Sequence, residues 1–451
     1  MTRSTLTESL AYKRYVVWLL LVIYIVNQTD RSVFSFLMEP VKRDLRLSDT
    51  QLGFVAGPAL VLLYSVLGVP IARWGDRSHR VNIMSAAIGA WSCATALFAA
   101  VASFWQLSLA QVGVGIGEAG FSAIAISVIG DYHLNAAERA RALSVFMLGG
   151  PLSGIASSLM AGWINQTYGW RAVFVLAGLL GLPLMVLMKW TVREPARREV
   201  RSVAVESDHP SLREVLGAIW RRRALRHLAL GQGLANFVNC CTAWLPPFFV
   251  REYGMATGEL GNWFAVIYGV GGSLGIWLSG YLPSRYGSPN EFIEARLTAV
   301  ATALISPMLV IAMWCPTSHI ALLLLIPCQA LVFFFMTPNM AMLQTLAPAN
   351  MRATMASVFI LVQMLAGGVI SLQLSGILSD ALTPLLGNSA AALRWSMALF
   401  SLVAFWAAAH FWRAGRFAQK ELAEAPDSNV GPTLRERGDI FAPPGPRDCP
   451  L

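Results

Sequence analysis

Arg139-Ala140-Arg141-Ala142-Leu143-Ser144-Val145-Phe146 opens one apolar run of the chain, and Arg352-Ala353-Thr354-Met355-Ala356-Ser357-Val358-Phe359 opens another. Both read R-A-x-x-x-S-V-F. Two further pairs lie at nearly the same offset. Ala72-x-x-x-Asp76-Arg77 is matched by Gly280-x-x-x-Ser284-Arg285, and Asn27-x-x-Asp30 by Asn236-x-x-Asn239. Matches at three places and nearly the same spacing indicate a duplicated unit, so the architecture formed by the first half is formed again by the second.

Composition says what that unit is. The 451 residues are 56% hydrophobic and 13% charged, with mean hydropathy +0.56. A soluble domain carries about 25% charged residues, so this chain reads as an integral membrane protein. A membrane helix needs about 20 apolar residues. Twelve segments qualify, at about 15–38, 51–73, 81–102, 105–130, 140–164, 170–190, 224–250, 258–282, 295–314, 318–345, 353–379 and 392–413. The expected fold is an all-α polytopic bundle of two pseudo-symmetric six-helix halves. Its parts are a cytoplasmic N-terminus (1–14), a first bundle (15–193), a linker (194–223), a second bundle (224–415) and a disordered tail (416–451). In the linker, Ser211 and Glu214 have capping-box spacing. Leu212, Val215, Leu216, Ile219 and Trp220 then follow at helical intervals. This predicts an amphipathic helix, lying on the inner leaflet or packed under the bundle.

Basic residues set the orientation. Lys and Arg concentrate in the segments shared with both termini, including Arg73, Arg77, Arg80, Arg139, Arg141, Arg285, Arg352 and the stretch from Arg193 to Arg226. The other side holds chiefly Lys42, Arg43, Arg46, Arg171, Arg251 and Arg394. The positive-inside rule therefore predicts both termini in the cytoplasm of a cell membrane, plasma or bacterial inner. The same bias accounts for the net charge of +9 without nucleic acid. The polar N-terminus leads into a run too long for a signal h-region, so no cleaved leader is expected. The six cysteines show neither metal-ligand spacing nor a disulfide framework. No Walker A, zinc or nucleophile-elbow motif is present, so the chain reads as neither an enzyme nor an ATP-driven machine. It calls for no cofactor, and coupling falls to an ion gradient.

Against this background, polar groups at membrane depth stand out. Asn27, Asp30 and Arg31 share one face of the first helix, and ionisable groups there usually mark a pathway or a site. The competing reading is a static ion pair that fixes packing. Gln111 and Glu118 share a face of the fourth helix, where Gly113 and Gly117 allow another helix close approach and Gly115 widens that surface. Asp30 and Glu118 are the candidate proton carriers. Asn27, Arg31, Gln111, Asn236 and Asn239 are the candidate substrate contacts, although the last two read equally well as packing polarity. Trp244-Leu245-Pro246-Pro247 is expected to bend or end the seventh helix. Tyr24, Phe34, Phe36, Tyr64, Phe121, Trp263, Phe264, Tyr268 and the run Phe333-Phe334-Phe335 are expected mostly on lipid-facing surfaces or in interfacial belts, with a subset lining an apolar cavity.

The loop Ala72-Arg73-Trp74-Gly75-Asp76-Arg77-Ser78-His79-Arg80 resembles the loop signature of the major facilitator superfamily. Together with N-x-x-D-R in the first helix and G-x-G-E-A in the fourth, it resembles the spinster-like branch of that superfamily. Gly149-Gly150-Pro151 is similar to the Gly-Pro signature of facilitator antiporters, without its closing glycine. The resemblance implies a monomeric rocker-switch transporter, proton-coupled, for lysolipid-like or other amphipathic molecules. It implies Asp30 as the main proton acceptor, paired with Arg31 in one state, with Glu118 beside them. Asp76, Arg77, Arg80, Arg139, Arg285 and Arg352 would form a cytoplasmic gate. Gln111 stands where spinster-like sequences usually carry Arg, which removes one partner for a substrate phosphate. An importer of organic anions and a multidrug-type antiporter therefore stay open beside a lysolipid carrier.

Overall fold

The computed structural model describes residues 9–119, 121–133, 135–195, 211–286, 293–348 and 350–423. These form helices and short connections. The first half holds α1 (Leu10–Leu45), α2 (Asp49–Ala56, continued as Pro58–Arg77), α3 (Arg80–Leu97), α4 (Phe104–Glu118 and Phe121–Tyr132), α5 (Ala136–Met147 and Gly149–Tyr168) and α6 (Trp170–Thr191). After the linker helix α7 (Leu212–Arg221) come α8 (Arg223–Cys241, a 3-10 turn Thr242–Trp244, then Leu245–Tyr253) and α9 (Thr257–Val266, a π turn Ile267–Gly272, then Ser273–Tyr286). They are followed by α10 (Ile293–Met313), α11 (Ser318–Phe334 and Met336–Leu346), α12 (Arg352–Met364, a π turn Leu365–Ser371, then Leu372–Leu386) and α13 (Ser389–Ser401 and Val403–Ala423).

Ten of these stretches are long and apolar enough to cross a membrane. The other two crossings, α2 and α8, are interrupted. Gly57 breaks α2, and the 3-10 turn before Pro246-Pro247 breaks α8, where the double proline was expected to act. In hydrocarbon only closed backbone hydrogen bonding is tolerated, which explains why such long apolar runs become helices. Leu109 at 69% exposure and Leu323 at 53% belong to a wall that meets lipid rather than water.

Apolar packing shows how the halves sit. Three buried apolar clusters lie among the described residues. One lies wholly in the first half, from Val16 and Ile23 through Met84, Phe121 and Phe146 to Val192. A second lies wholly in α7 and the second half, from Val215 through Leu228, Met342 and Phe359 to Phe411. The third contains residues of both halves, among them Phe36, Leu52 and Phe174 with Trp244, Phe264 and Leu393. The halves are thus one core at the end away from the linker and two separate cores at the linker end. That end opens between them.

α7 has the expected capping box, and Val215 and Ile219 are buried under the second half. Leu212, Leu216 and Trp220 stay exposed, so the apolar stripe is divided between bundle and surroundings. Residues 416–423, expected in the disordered tail, instead continue α13 to Ala423, and the tail from 424 onward lies outside the described residues, as does Cys449. The remaining five cysteines are free. The aromatic expectation is corrected: Phe34, Phe36, Phe121, Phe264, Phe334 and Phe335 are at most 4% exposed and line helix interfaces. Offset and edge-on ring pairs such as Phe36 on Phe264, at 5.3 Å, account for that preference.

Candidate functional site

At the middle of α1, Asp30 is buried and its Oδ2 accepts a hydrogen bond from Thr95 Oγ1 of α3 at 3.0 Å. Arg31 points elsewhere: its Nε donates to Glu118 of α4. Its guanidinium also lies over the ring of Tyr64 of α2, 4.4 Å from the centroid. The expected Asp30–Arg31 pair is therefore not formed in this structure. Successive residues on a helix diverge, so neighbours in sequence serve different helices.

Glycines bring the partners together. A Cβ on Gly117 would come within 2.6 Å of the Trp91 nitrogen, so only glycine lets α4 lie against α3 there. This close approach carries Glu118, the last residue of its helical piece, across to Arg31. Glu118 is fully buried while the Arg31 side chain keeps 22% of its exposure. Asp30 Oδ1, Glu118 Oε1 and Asn27 Nδ2 are buried without a hydrogen-bond partner among the described residues. Gln111 is buried two turns from Glu118.

The second half answers with neutral groups. Asn236 Nδ2 donates to the Gln363 carbonyl at 2.8 Å and Asn239 Nδ2 to Asn236 Oδ1 at 3.2 Å, while Gln232 Nε2 bonds Gln363 Oε1 at 2.9 Å. Asn236 is engaged with α12, and Asn239 with Asn236.

Of the expected gate residues, the four whose side chains are described do not meet across the halves here. Arg80 is buried inside the first half, bound to Asp131 at 2.5 Å and Glu194 at 2.7 Å. Arg139 is half-buried, Arg285 is exposed, and Arg352 is exposed with its Nε on the Ala347 carbonyl. The Asp76 and Arg77 side chains lie outside the described residues.

The opposite end is closed by a charge network that the sequence reading did not single out. Arg251 of α8 donates to Glu39 of α1 at 2.6 Å and to both Asp49 oxygens, at 2.7 and 2.8 Å. Lys42 adds a bond to Asp49 at 2.6 Å. Asp380 of α12 accepts from the Asp49 and Thr50 backbone nitrogens at 3.0 and 2.7 Å, capping the N-terminus of α2 from the other half. Burial would raise the Asp49 carboxyl, but the hydrogen bonds and charge of Arg251, with Lys42, hold it at about 2. Three acids and two bases at helix ends were legible as charges. Their convergence was not, because it joins segments hundreds of residues apart.

Sequence comparison bears on this geometry. The Major Facilitator Superfamily profile matches residues 20–372. The chain belongs to that superfamily. An MFS-type efflux pump of Mycolicibacterium smegmatis is 29% identical over 86% of this chain and 90% of its own length. Protein spinster homolog 1 of Xenopus laevis is 25% identical over 83% of this chain and 75% of its own. Among solved structures, a bacterial homologue of the human lysosomal transporter Spinster, inward-facing and unoccupied, superposes with TM-score 0.83. It is 26% identical and covers 92% of this chain and 99% of its own. A D-xylose–proton symporter shares the fold, with TM-score 0.66 at 15% identity over 89% of this chain and 97% of its own. The protein is a spinster-like, multi-pass transporter of the major facilitator fold, a family of carriers rather than enzymes.

Proposed function

We propose that this facilitator is a proton-coupled secondary transporter that moves an amphipathic small molecule or lysolipid-like substrate by alternating access, as a monomer in a cell membrane with both termini cytoplasmic. The observation that carries this reading is Asp30: buried at the middle of α1, bonded through one oxygen only, beside the Arg31–Glu118 pair. Proton uptake by Asp30 removes a negative charge from the neighbourhood of that pair. Such a change couples ion to substrate only by favouring one opening of the bundle over the other. The halves share no buried apolar cluster at the linker end, which the positive-inside rule puts at the cytoplasm, so this reading has the site served from that side in the present conformation. The network of Arg251, Glu39, Asp49 and Asp380 must part for access from the other side.

Arg31 is engaged by Glu118, and Gln111 supplies no cation, which favours an amphipathic ligand held by the partly buried Tyr24, Tyr64 and Tyr268 over a tightly bound phosphate. Similarity to an efflux pump along most of both chains supports export of such molecules. The residual exposure of Arg31 favours the second reading, an importer of organic anions.

Purified protein in proteoliposomes with an imposed pH gradient tests the proposal against amphipathic cations, lysolipids and organic acids. Asp30→Asn is expected to abolish gradient-driven flux while keeping a monodisperse elution profile and ligand-induced thermal stabilisation. Wild-type flux by that variant, or flux in the native protein indifferent to the gradient, would overturn it.

A further inference from the structure

The outer wall of the second half carries a feature that the transport site does not use. Along α13, Arg413, Arg416 and Lys420 fall at i, i+3 and i+7 and so share one stripe. With Phe417 they line a cavity of about 260 Å³. All three cations are exposed, and no carboxylate pairs with any of them among the described residues. The nearest acid in sequence, Glu421, is committed to capping α8, accepting from the Ala224 nitrogen at 3.1 Å. The Arg223 guanidinium lies over the Phe417 ring, 5.5 Å from its centroid, adding to the local positive potential.

One turn deeper, the same stripe of α13 changes character. Ala408, Ala409 and Trp412 face Ala299, Val300 and Ala303 of α10 across a shallow, open, apolar furrow of about 240 Å³. Alanines leave the two helices without side chains to fill the furrow, and Trp412 forms its wall at 45% exposure. Ala409 and Trp412 stand four residues before Arg413 and Arg416, on the same stripe of α13, so the dry furrow leads along the helix toward the basic cavity. An apolar groove at hydrocarbon depth that ends in unpaired cations at the linker-end interface is complementary to one kind of molecule. It must have an acyl chain and an anionic headgroup a few ångströms apart.

We infer that this surface is a binding site for an anionic phospholipid of the leaflet at the linker end, with an acyl chain between α10 and α13 and the phosphate on Arg413, Arg416 and Lys420. Charge complementarity selects the lipid: a zwitterionic headgroup leaves the cluster uncompensated, and a free phosphate leaves the groove unfilled. The site is independent of the transport reading, since none of its residues touches Asp30, Arg31 or Glu118.

Native mass spectrometry of full-length protein titrated with phosphatidylglycerol or phosphatidylcholine in detergent tests it. One phosphatidylglycerol is expected to be retained in preference to phosphatidylcholine. The triple variant Arg413→Gln, Arg416→Gln, Lys420→Gln is expected to bind it on the order of a hundredfold more weakly, from the contribution of three interfacial cations. Ala409→Trp fills the groove without touching a charge and is expected to lower retention as well. Equal retention by the triple variant, equal binding of phosphatidylcholine, or displacement of the lipid by millimolar inorganic phosphate would each overturn the assignment. If removal of residues 424–451 raised affinity for phosphatidylglycerol severalfold, the chain's own acidic tail, not lipid, would be the resident occupant, and the inference would fall.

Discussion

Asp30, Arg31 and Glu118 show what one residue can and cannot reveal. Their charge at membrane depth marked them in the sequence, but their pairing did not follow from adjacency. It follows from Gly117, whose missing Cβ lets α4 reach α3. Removing one member of a buried pair leaves the other uncompensated, at a cost of about 3 kcal/mol or more. Glu118→Gln keeps shape and one acceptor, so it is expected to retain the fold with a lower melting temperature. Glu118→Leu is expected to cost more, because Arg31 then keeps only Tyr64. Thermal unfolding of the two variants in one detergent checks the order, and equal melting temperatures would remove the pair from the account of stability. At the far end, Asp49 gives a pH prediction. Its carboxyl is held at about 2, below its ordinary value, so its stabilising bonds are fully present above about pH 4 and are lost as pH falls through that lowered value. Mild acid should therefore not loosen the closure through Asp49. Spin-label distances across the far end of Asp30→Asn are expected to be unchanged between about pH 8 and about pH 5.

At the scale of elements, the four helices with the most extensive contact between the halves are all irregular. α2 breaks at Gly57 and α5 at Leu148, while α9 and α12 each contain a π turn. Such turns interrupt regular hydrogen bonding and recur at functional places in helices. The apolar periodicity gave the helices and the repeat their order, but no rule of spacing distinguishes a π turn from an α turn in Leu365–Ser371. The contacts between these elements depend on backbone touching backbone. A Cβ on Gly261 would lie 2.4 Å from the Ser158 carbonyl oxygen, and one on Gly376 would lie 2.2 Å from that of Asp49. Gly261→Val is expected to prevent closure of the far end, detected as increased labelling of a cysteine introduced on α5 near that contact. Unchanged labelling would show that the helices slide to absorb the side chain. Asp380→Asn removes the charge that caps α2 from the other half, worth about 1 kcal/mol. It is expected to raise the far-end-open population roughly fivefold in the same labelling assay.

For the whole molecule, duplication and hydropathy made the twelve-helix plan readable before any contact was known. The three-way division of the apolar core was not readable, since the same leucines and phenylalanines serve a shared core or a separate one. That division records a state of opening, which depends on how two halves lean and not on which residues they bury. The charge at the centre has an electrical consequence. With Asp30 and Glu118 ionised and Arg31 cationic, the cluster sums to one negative charge, and its repeat counterparts Asn236 and Asn239 bring none to balance it. Under the proposed mechanism, rocking of the empty carrier moves that charge relative to the membrane field, which acts with about 2.3 kcal/mol per charge for each 100 mV. The protonated carrier is neutral at the same place. Voltage should thus bias the return of the empty protein and leave the proton-loaded crossing untouched, giving a transient displacement current that Asp30→Asn abolishes.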